Sequence, residues 1–343
     1  MKGVVFLGDE KLEVRDFPKP EPGPGEVLLQ MKASGLCGSD LHFLRTPRSE
    51  MEEMGAIDTI KGHEPCGIVA ALGSCTRNVK VGDRVMIHHY VGCGGCEYCQ
   101  TGWPQACIHG MQVQSWQLHG AHADFMVTPD VSCVPLPDEL SFEEGSMLAC
   151  GTGTAWQGLI RLDVSGRDTL VVFGQGPVGM SATMLAKAMG ARVIAVDVLN
   201  ERLESSKQFG ADEIINANEV DPVDAIMKLT DGKGADTTMD TSGSDQGRVS
   251  ALRSARMLGR VCFLGERGNT AFDISALFLR KQLTVYGSWT LSTVGLAKVA
   301  DFVVKHKLPL KDMISHRFSL SQADEAYKLF IAGKTNKAVF VWE

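Results

Sequence analysis

Thr169-Leu-Val-Val-Phe-Gly-Gln-Gly-Pro-Val-Gly179 reads as a strand, a glycine turn and the first turn of a helix. The uncharged run rich in β-branched residues suits a strand buried on both faces. Gly174-Gln-Gly176-Pro-Val-Gly179 is a G-x-G-x-x-G turn, and its place after a strand and before a helix raises it above a chance match. Gly174 makes the turn, Gly176 lets a pyrophosphate approach the backbone, and Gly179 lets helix and strand pack closely. Pro177 and Val178 open the helix, whose free N–H groups and positive dipole end face the phosphates. Arg192-Val-Ile-Ala-Val is the next strand, and Asp197 closes it. Its carboxylate can accept hydrogen bonds from an adenosine ribose diol. It would meet the 2′-phosphate of NADP as a like charge, so NAD is the expected cofactor.

Alternation continues outward from this turn. Residues 177–189 and 199–209 read as helices, and Thr237-Thr-Met-Asp, Arg260-Val-Cys-Phe-Leu and Leu283-Thr-Val-Tyr as further strands. Strand and helix in turn imply a doubly wound parallel sheet with helices on both faces. The first 150 or so residues differ. Short runs such as Glu26-Val-Leu-Leu-Gln-Met and Cys66-Gly-Ile-Val-Ala-Ala-Leu lie between Gly and Pro punctuation and read as β-rich. Helices are expected at 293–306 and 321–332, then a last strand, Lys337-Ala-Val-Phe-Val, packing back on the first domain.

At 343 residues the chain has room for about two domains. Its 44% hydrophobic and 22% charged content is that of a soluble globular protein. A formal net charge of −7 and the lack of a basic stripe argue against a nucleic-acid partner. The longest uncharged run, 169–186, is broken by its own glycines and proline, so no membrane span is expected. Residues 1–14 carry Asp9, Glu10 and Glu13 and no long apolar core, which points to a cytoplasmic protein.

Cys93, Cys96, Cys99 and Cys107 form C-x2-C-x2-C-x7-C. Four thiolates this close can close a tetrahedral shell around Zn²⁺ with no open position. Two disulfides are the alternative, but ten cysteines in the whole chain are too sparse for a disulfide scaffold and the expected compartment is reducing. A second set is dispersed: Cys37 in Gly35-Leu-Cys-Gly-Ser-Asp-Leu-His42, His63 in Gly62-His-Glu64, and Cys150 in Leu148-Ala-Cys-Gly-Thr-Gly-Thr154. Each alone is a weak signal, since a lone buried Cys or His is more often core than ligand.

Together these motifs, in this order along nearly the whole chain, resemble the zinc-containing alcohol dehydrogenases of the medium-chain dehydrogenase/reductase family. The resemblance implies a GroES-like β-rich catalytic domain over 1–152 and 288–343 and a Rossmann NAD-binding domain over 153–287. It implies two zinc ions per subunit, one structural on the four clustered cysteines and one catalytic on Cys37, His63 and Cys150. Asp40 would orient His63, Glu64 would be a carboxylate near the metal, and Ser39 and His42 would relay the proton. Thr154, Arg202 and Lys337 match positions that contact the cofactor. The implied activity is hydride transfer between a small-molecule alcohol and NAD, in a homo-oligomer, dimer or tetramer.

Departures from the family narrow the substrate. Cys150 stands where polyol and threonine dehydrogenases often have Glu, which favours the alcohol dehydrogenase type of metal shell and names no substrate. His89 stands near the aromatic position of enzymes for simple alcohols, and His119 and His122 replace acidic, glycine or aromatic residues, with Trp116 just before. These residues suggest a polar pocket and a polar secondary alcohol, polyol, cyclitol or sugar hydroxyl. His88, His119 and His122 read equally well as structural residues. The loop over 45–61 reads as solvated or subunit-facing. Two competing functions are a zinc-free quinone-type reductase of the same superfamily, which the dispersed Cys/His set opposes, and a redox-inactive NAD sensor, which the Ser39/His42 pair opposes.

Overall fold

The computed structural model describes residues 1–266 and 268–343. The chain divides into two compact units, Met1–Cys150 with Ser292–Glu343, and Gly151–Leu291.

The second unit holds a six-stranded, all-parallel sheet in the order Glu213–Asn216, Arg192–Asp197, Thr169–Phe173, Ala235–Asp240, Ala255–Phe263, Thr284–Gly287. The strand order reverses beside Thr169–Phe173, which places the glycine turn at the switch point, where doubly wound sheets bind ligands. Val171, Phe173, Ile194, Val196, Ile226, Ala251 and Val261 form a buried core against the helices Pro222–Leu229 and Asp245–Ser254. Each such aliphatic side chain contributes roughly 1.5–3 kcal/mol through its burial. The helices Pro177–Ala188 and Asn200–Gln208 follow the two strands that carry the glycine turn and Asp197.

The first unit is built on a seven-stranded sheet, with Ile314–Phe318, Lys337–Val341, Glu26–Gly35, Pro65–Leu72, Arg84–Ile87 and Cys133–Pro135 in line and Phe125–Pro129 paired to Glu26–Gly35. The last strand, Lys337–Val341, lies antiparallel to Glu26–Gly35, with Phe340 opposite Ser34. A core of Val4, Phe6, Leu36, Leu44, Met51, Tyr327, Ala338 and Phe340 gathers around that pairing. Met51 corrects the expectation of a solvated loop over 45–61. The short helix Arg48–Glu53 points Met51 into this core, Ile60 and Lys61 are also enclosed, and the glutamates stay outside. No helix among the described residues is long and apolar enough to cross a membrane.

Candidate metal centre and dinucleotide turn

Cys37 is the N-cap of the helix Gly38–Arg45. Asp40, at the third helical position, accepts the Cys37 backbone N–H on Oδ2 at 2.8 Å. This is half of a capping box, and it leaves the other carboxylate oxygen for a second task. Asp40 Oδ1 lies 3.0 Å from His63 Nδ1. The separation is that of a hydrogen bond, yet the alignment is incomplete, so the enclosed oxygen is under-satisfied. His63 sits just before the strand Pro65–Leu72, and Cys150 follows the helix Phe142–Leu148.

Three distant segments thus converge. Donor atoms of Cys37, His63, Glu64 and Cys150 all lie within 4.8 Å of one another. Ser39 Oγ is 3.4 Å from Cys37 Sγ and 3.1 Å from His63 Nε2. Cys37 is held well below the ordinary thiol range, first by the hydrogen bond from Cys150 and then by the nearby His63 and Lys337 charges, against its burial. Cys150 is pushed well above it by the same contact and by burial. Burial disfavours charge on His63, but the adjacent Asp40 and Cys37 outweigh it and raise the ring well above its usual range.

Glu64 Oε2 is ion-paired to the Lys337 ammonium, which also donates to the Leu36 carbonyl at 2.8 Å. Glu64 Oε1 is enclosed with no hydrogen-bond partner. Burial pushes Glu64 up to about 8 against the pull of Lys337, whereas Lys337 is raised because Glu64 outweighs its own burial. The two directions compete for one proton. The ion pair is the better description, because a neutral Glu64 would strip a fully buried ammonium of its nearest counter-charge. Lys337 was expected at the cofactor. Here it is 2% exposed and committed to Glu64 and Leu36.

These residues fit zinc: two thiols and an imidazole gather beside an orphaned carboxylate oxygen, in a protected site. The four clustered cysteines fit a second ion. Their sulfurs also lie within 4.8 Å of one another, on a lobe closed by the pairing of Tyr90–Val91 with Gln112–Val113. Backbone N–H groups of Cys93 and Cys96 point at Cys107 Sγ and Cys93 Sγ, both at 3.3 Å. Backbone hydrogen bonds around Cys99 and Ile108 bring Cys96 down to about 6, while burial raises Cys99 to about 12.

The histidines separate into roles. His89 is buried, its ring 5.1 Å from that of His63, and its Nδ1 has no partner. Burial, with His63 and His88 nearby, keeps it neutral. His88 is stacked on His89 at 6.1 Å. His119 accepts the Ile60 N–H and packs on Phe17, so it is structural. His122 does not line a pocket. It is wholly enclosed between Ser34 Oγ and the Tyr327 hydroxyl. His42 lies one turn after Ser39 on the same helix and is exposed, its ring tilted at 49° to that of Phe43, which meets Trp116 at 4.8 Å.

In the second unit, Gly174 has φ +89°. A Cβ on Gly179 would lie 1.8 Å from the Gly174 carbonyl oxygen, whereas one on Gly176 would meet nothing within 4 Å. Helix and strand thus close tightly at Gly179, and the open side at Gly176 is a cradle that a phosphate can enter. Pro177 opens the helix, so the Val178 and Gly179 N–H groups belong to its unpaired first turn. Asp197 Oδ1 accepts from the N–H groups of Val198 and Leu199 at 2.8 and 3.0 Å, and Oδ2 from Gln175 N at 2.5 Å. Arg202 Nη1 is 3.9 Å from Asp197 Oδ2. Thr154 lies in the helix Gly151–Arg161, which packs on Pro177–Ala188 through a Thr152–Ser181 hydroxyl contact of 3.0 Å.

Residues 23–138 match the alcohol dehydrogenase GroES-like domain, and 177–305 match the zinc-binding dehydrogenase domain. The chain is 41% identical to an uncharacterized zinc-type alcohol dehydrogenase-like protein, YphC, of Escherichia coli K12, over 99% of this chain and 98% of that one. It is 30% identical to a sorbitol dehydrogenase of Bacillus subtilis over 95% and 92% of the two chains. Among solved structures, the alcohol dehydrogenase TADH from Thermus sp. ATN1 superposes with a TM-score of 0.91 at 29% identity, covering 99% of both chains. The family implies zinc and NAD, for which the two cysteine-bearing clusters and the glycine turn provide sites. The chain therefore belongs to the zinc-containing alcohol dehydrogenases of the medium-chain dehydrogenase/reductase family.

Proposed function

We propose that the chain is an NAD-linked dehydrogenase of polar secondary alcohols, with a polyol, cyclitol or sugar hydroxyl as substrate and the matching ketone as product. The observation that carries this reading is the convergence of Cys37, His63 and Cys150, with Ser39 Oγ 3.1 Å from His63 Nε2. Zinc held by Cys37, His63 and Cys150 supplies Lewis acidity to the substrate oxygen, and NAD supplies the hydride acceptor.

The chain's own residues do the rest. Ser39 Oγ accepts the substrate hydroxyl proton as it gives up its own hydroxyl proton toward His42, exposed one turn on, and solvent. Asp40 fixes His63 through Nδ1, so that Nε2 is the ring nitrogen that would hold zinc. Gly174, Gly176, Pro177, Val178 and Gly179 bind the pyrophosphate, while Asp197, Arg202 and Thr154 hold the remainder of the cofactor. A cofactor role for Lys337 requires it to leave Glu64. The tetracysteine lobe is structural, and the enzyme works as a homo-oligomer, which its mass in solution checks.

Substrate polarity rests on His89. Its buried Nδ1 has no partner, and such a group costs about 1–3 kcal/mol. A second hydroxyl on the substrate satisfies it, and ethanol does not. The sorbitol dehydrogenase relative acts, by its name, on such an alcohol. The test is a screen of NAD reduction over alcohols, polyols, cyclitols and sugars. A polyol or sugar alcohol should give the best kcat/KM, and a best result with ethanol or a long aliphatic alcohol overturns the substrate assignment. NADH binding without turnover of any of them would favour the sensor reading.

A further inference from the structure

The glycine turn is braced from inside and from the neighbouring strand. Gly174 has φ +89°, and a glycine leaves the peptide that follows it free to swing. Here both ends of that peptide are held. Thr241 Oγ1 donates to the Gly174 carbonyl at 2.8 Å, and the Gln175 N–H donates to Asp197 Oδ2 at 2.5 Å. The carbonyl and the N–H share one plane and point to opposite sides of the chain, so the two bonds fix its rotation. The Thr241 hydroxyl also lies 3.1 Å from the Phe173 carbonyl, which already accepts the Thr241 N–H at 2.9 Å. It has one proton to give, and Gly174 is the nearer acceptor. Gln175 has no solvent exposure. Its Nε2 donates to the Val172 carbonyl at 3.1 Å, and its Oε1 accepts from the Thr183 hydroxyl at 3.0 Å. One side-chain amide thus ties the turn to the strand before it and the helix after it.

Thr241 is itself aimed by a buried carboxylate. Asp240, at the end of its strand, accepts the N–H groups of Ser242 and Gly243 at 3.1 and 3.2 Å and the Ser242 hydroxyl at 2.6 Å. Arg248 Nε, on the helix that follows, lies 3.8 Å from Asp240 Oδ2. These bonds fold residues 240–243 against the turn. A Cβ on Gly174 would lie 2.9 Å from Ser242, and one on Gly179 would lie 2.9 Å from Thr241 Oγ1. The first and third glycines of the motif therefore make room for Thr241 and Ser242, while the side of Gly176 stays open. A turn already set in its binding shape needs no ordering when a phosphate arrives, and so binds it more tightly.

We propose that Thr241 and Gln175 are positioning residues that lock the Gly174–Gln175 peptide and so set how tightly the turn holds the pyrophosphate of NAD. Both act through the backbone of the turn. The proposal rests on the reading of residues 174–179 as the pyrophosphate cradle.

The experiment titrates NADH into the purified enzyme by fluorescence and follows steady-state kinetics in NAD. Thr241→Val keeps the side-chain shape and removes the hydroxyl. It should raise the NADH Kd and the KM for NAD about 2–10-fold, the effect of one lost hydrogen bond, with a smaller change in kcat. Thr241→Ser, which keeps the hydroxyl, should recover most of the loss. As inhibitors competing with NAD, ADP should weaken by a similar factor in Thr241→Val and adenosine should not, because only ADP carries the phosphates. A merely structural role would lower the melting temperature and leave the Kd alone. That result overturns the proposal, as do equal losses in Thr241→Val and Thr241→Ser, or equal losses for adenosine and ADP. If Thr241→Val does not fold, Gln175→Met decides: wild-type NADH affinity in that variant overturns it. A wild-type enzyme in which ADP does not compete with NAD would instead overturn the reading of the turn beneath it.

Discussion

The two cysteine clusters of this chain are built in opposite ways. Cys93, Cys96, Cys99 and Cys107 come from one short stretch, are partly exposed, and are oriented by the backbone N–H groups of their own loop. Cys37, His63 and Cys150 come from three distant segments, lie largely buried, and have side-chain neighbours from elsewhere in the chain: Asp40 beside His63, and Lys337 on Glu64. A local site carries its own geometry in its spacing. A tertiary site depends instead on buried charged and polar partners brought together from far along the chain.

The comparison is broken most directly by removing one donor from each cluster. Cys37→Ser or His63→Ala should abolish turnover while NADH binding, followed by fluorescence, stays largely intact, because the glycine turn lies in the other unit. Cys99→Ser should do the reverse. Zinc binding to such a lobe is folding free energy, on the order of 10 kcal/mol in small zinc domains. A loss of even a few kcal/mol should appear as a clearly lowered melting temperature and poor recovery of folded protein, with near-normal kcat in what remains folded. Normal stability in Cys99→Ser would remove the structural half of the contrast.

Ser39→Ala sharpens the chemical half. It should lower kcat about 10²–10⁴-fold. His42→Ala should cost less and recover with added buffer base, since His42 is exposed and water can replace it. A near-wild-type rate for Ser39→Ala rules out this proton route. The smallest effect is expected in the cofactor. Asp197 should favour NAD over NADP by about a hundredfold, equivalent to ~3 kcal/mol. Because Asp197 also holds three backbone N–H groups, Asp197→Asn is a cleaner probe than alanine. It should narrow the preference, with Arg202 available to the phosphate. Equal efficiency with both cofactors in the wild type contradicts this role for Asp197.

What was legible in the sequence follows the same division. The parallel sheet could be read because Thr169–Phe173 is an uncharged run and Arg192–Asp197 has an uncharged centre, with helices between the strands; in the other unit, residues 293–306 form a helix over Thr293–His306. The edge strand Glu213–Asn216 escaped notice, since Glu-Ile-Ile-Asn is short and only partly buried. Around the metal centre the donor types were legible but their supports were not. Lys337 and Glu64 are 273 positions apart. One local signal was available: Cys37 to Asp40 has N-cap to third-residue spacing, which marks Asp40 as a cap as well as a partner of His63. In the loop over 45–61, the glutamates hid the period that carries Met51 inward.

The most direct measurement is the zinc content of purified, active wild-type enzyme beside that of Cys37→Ser. Two zinc ions per subunit are expected in the wild type. The folded, inactive, NADH-binding variant should keep one. Active enzyme without zinc, or two ions retained by Cys37→Ser, would contradict the assignment of one structural and one catalytic site.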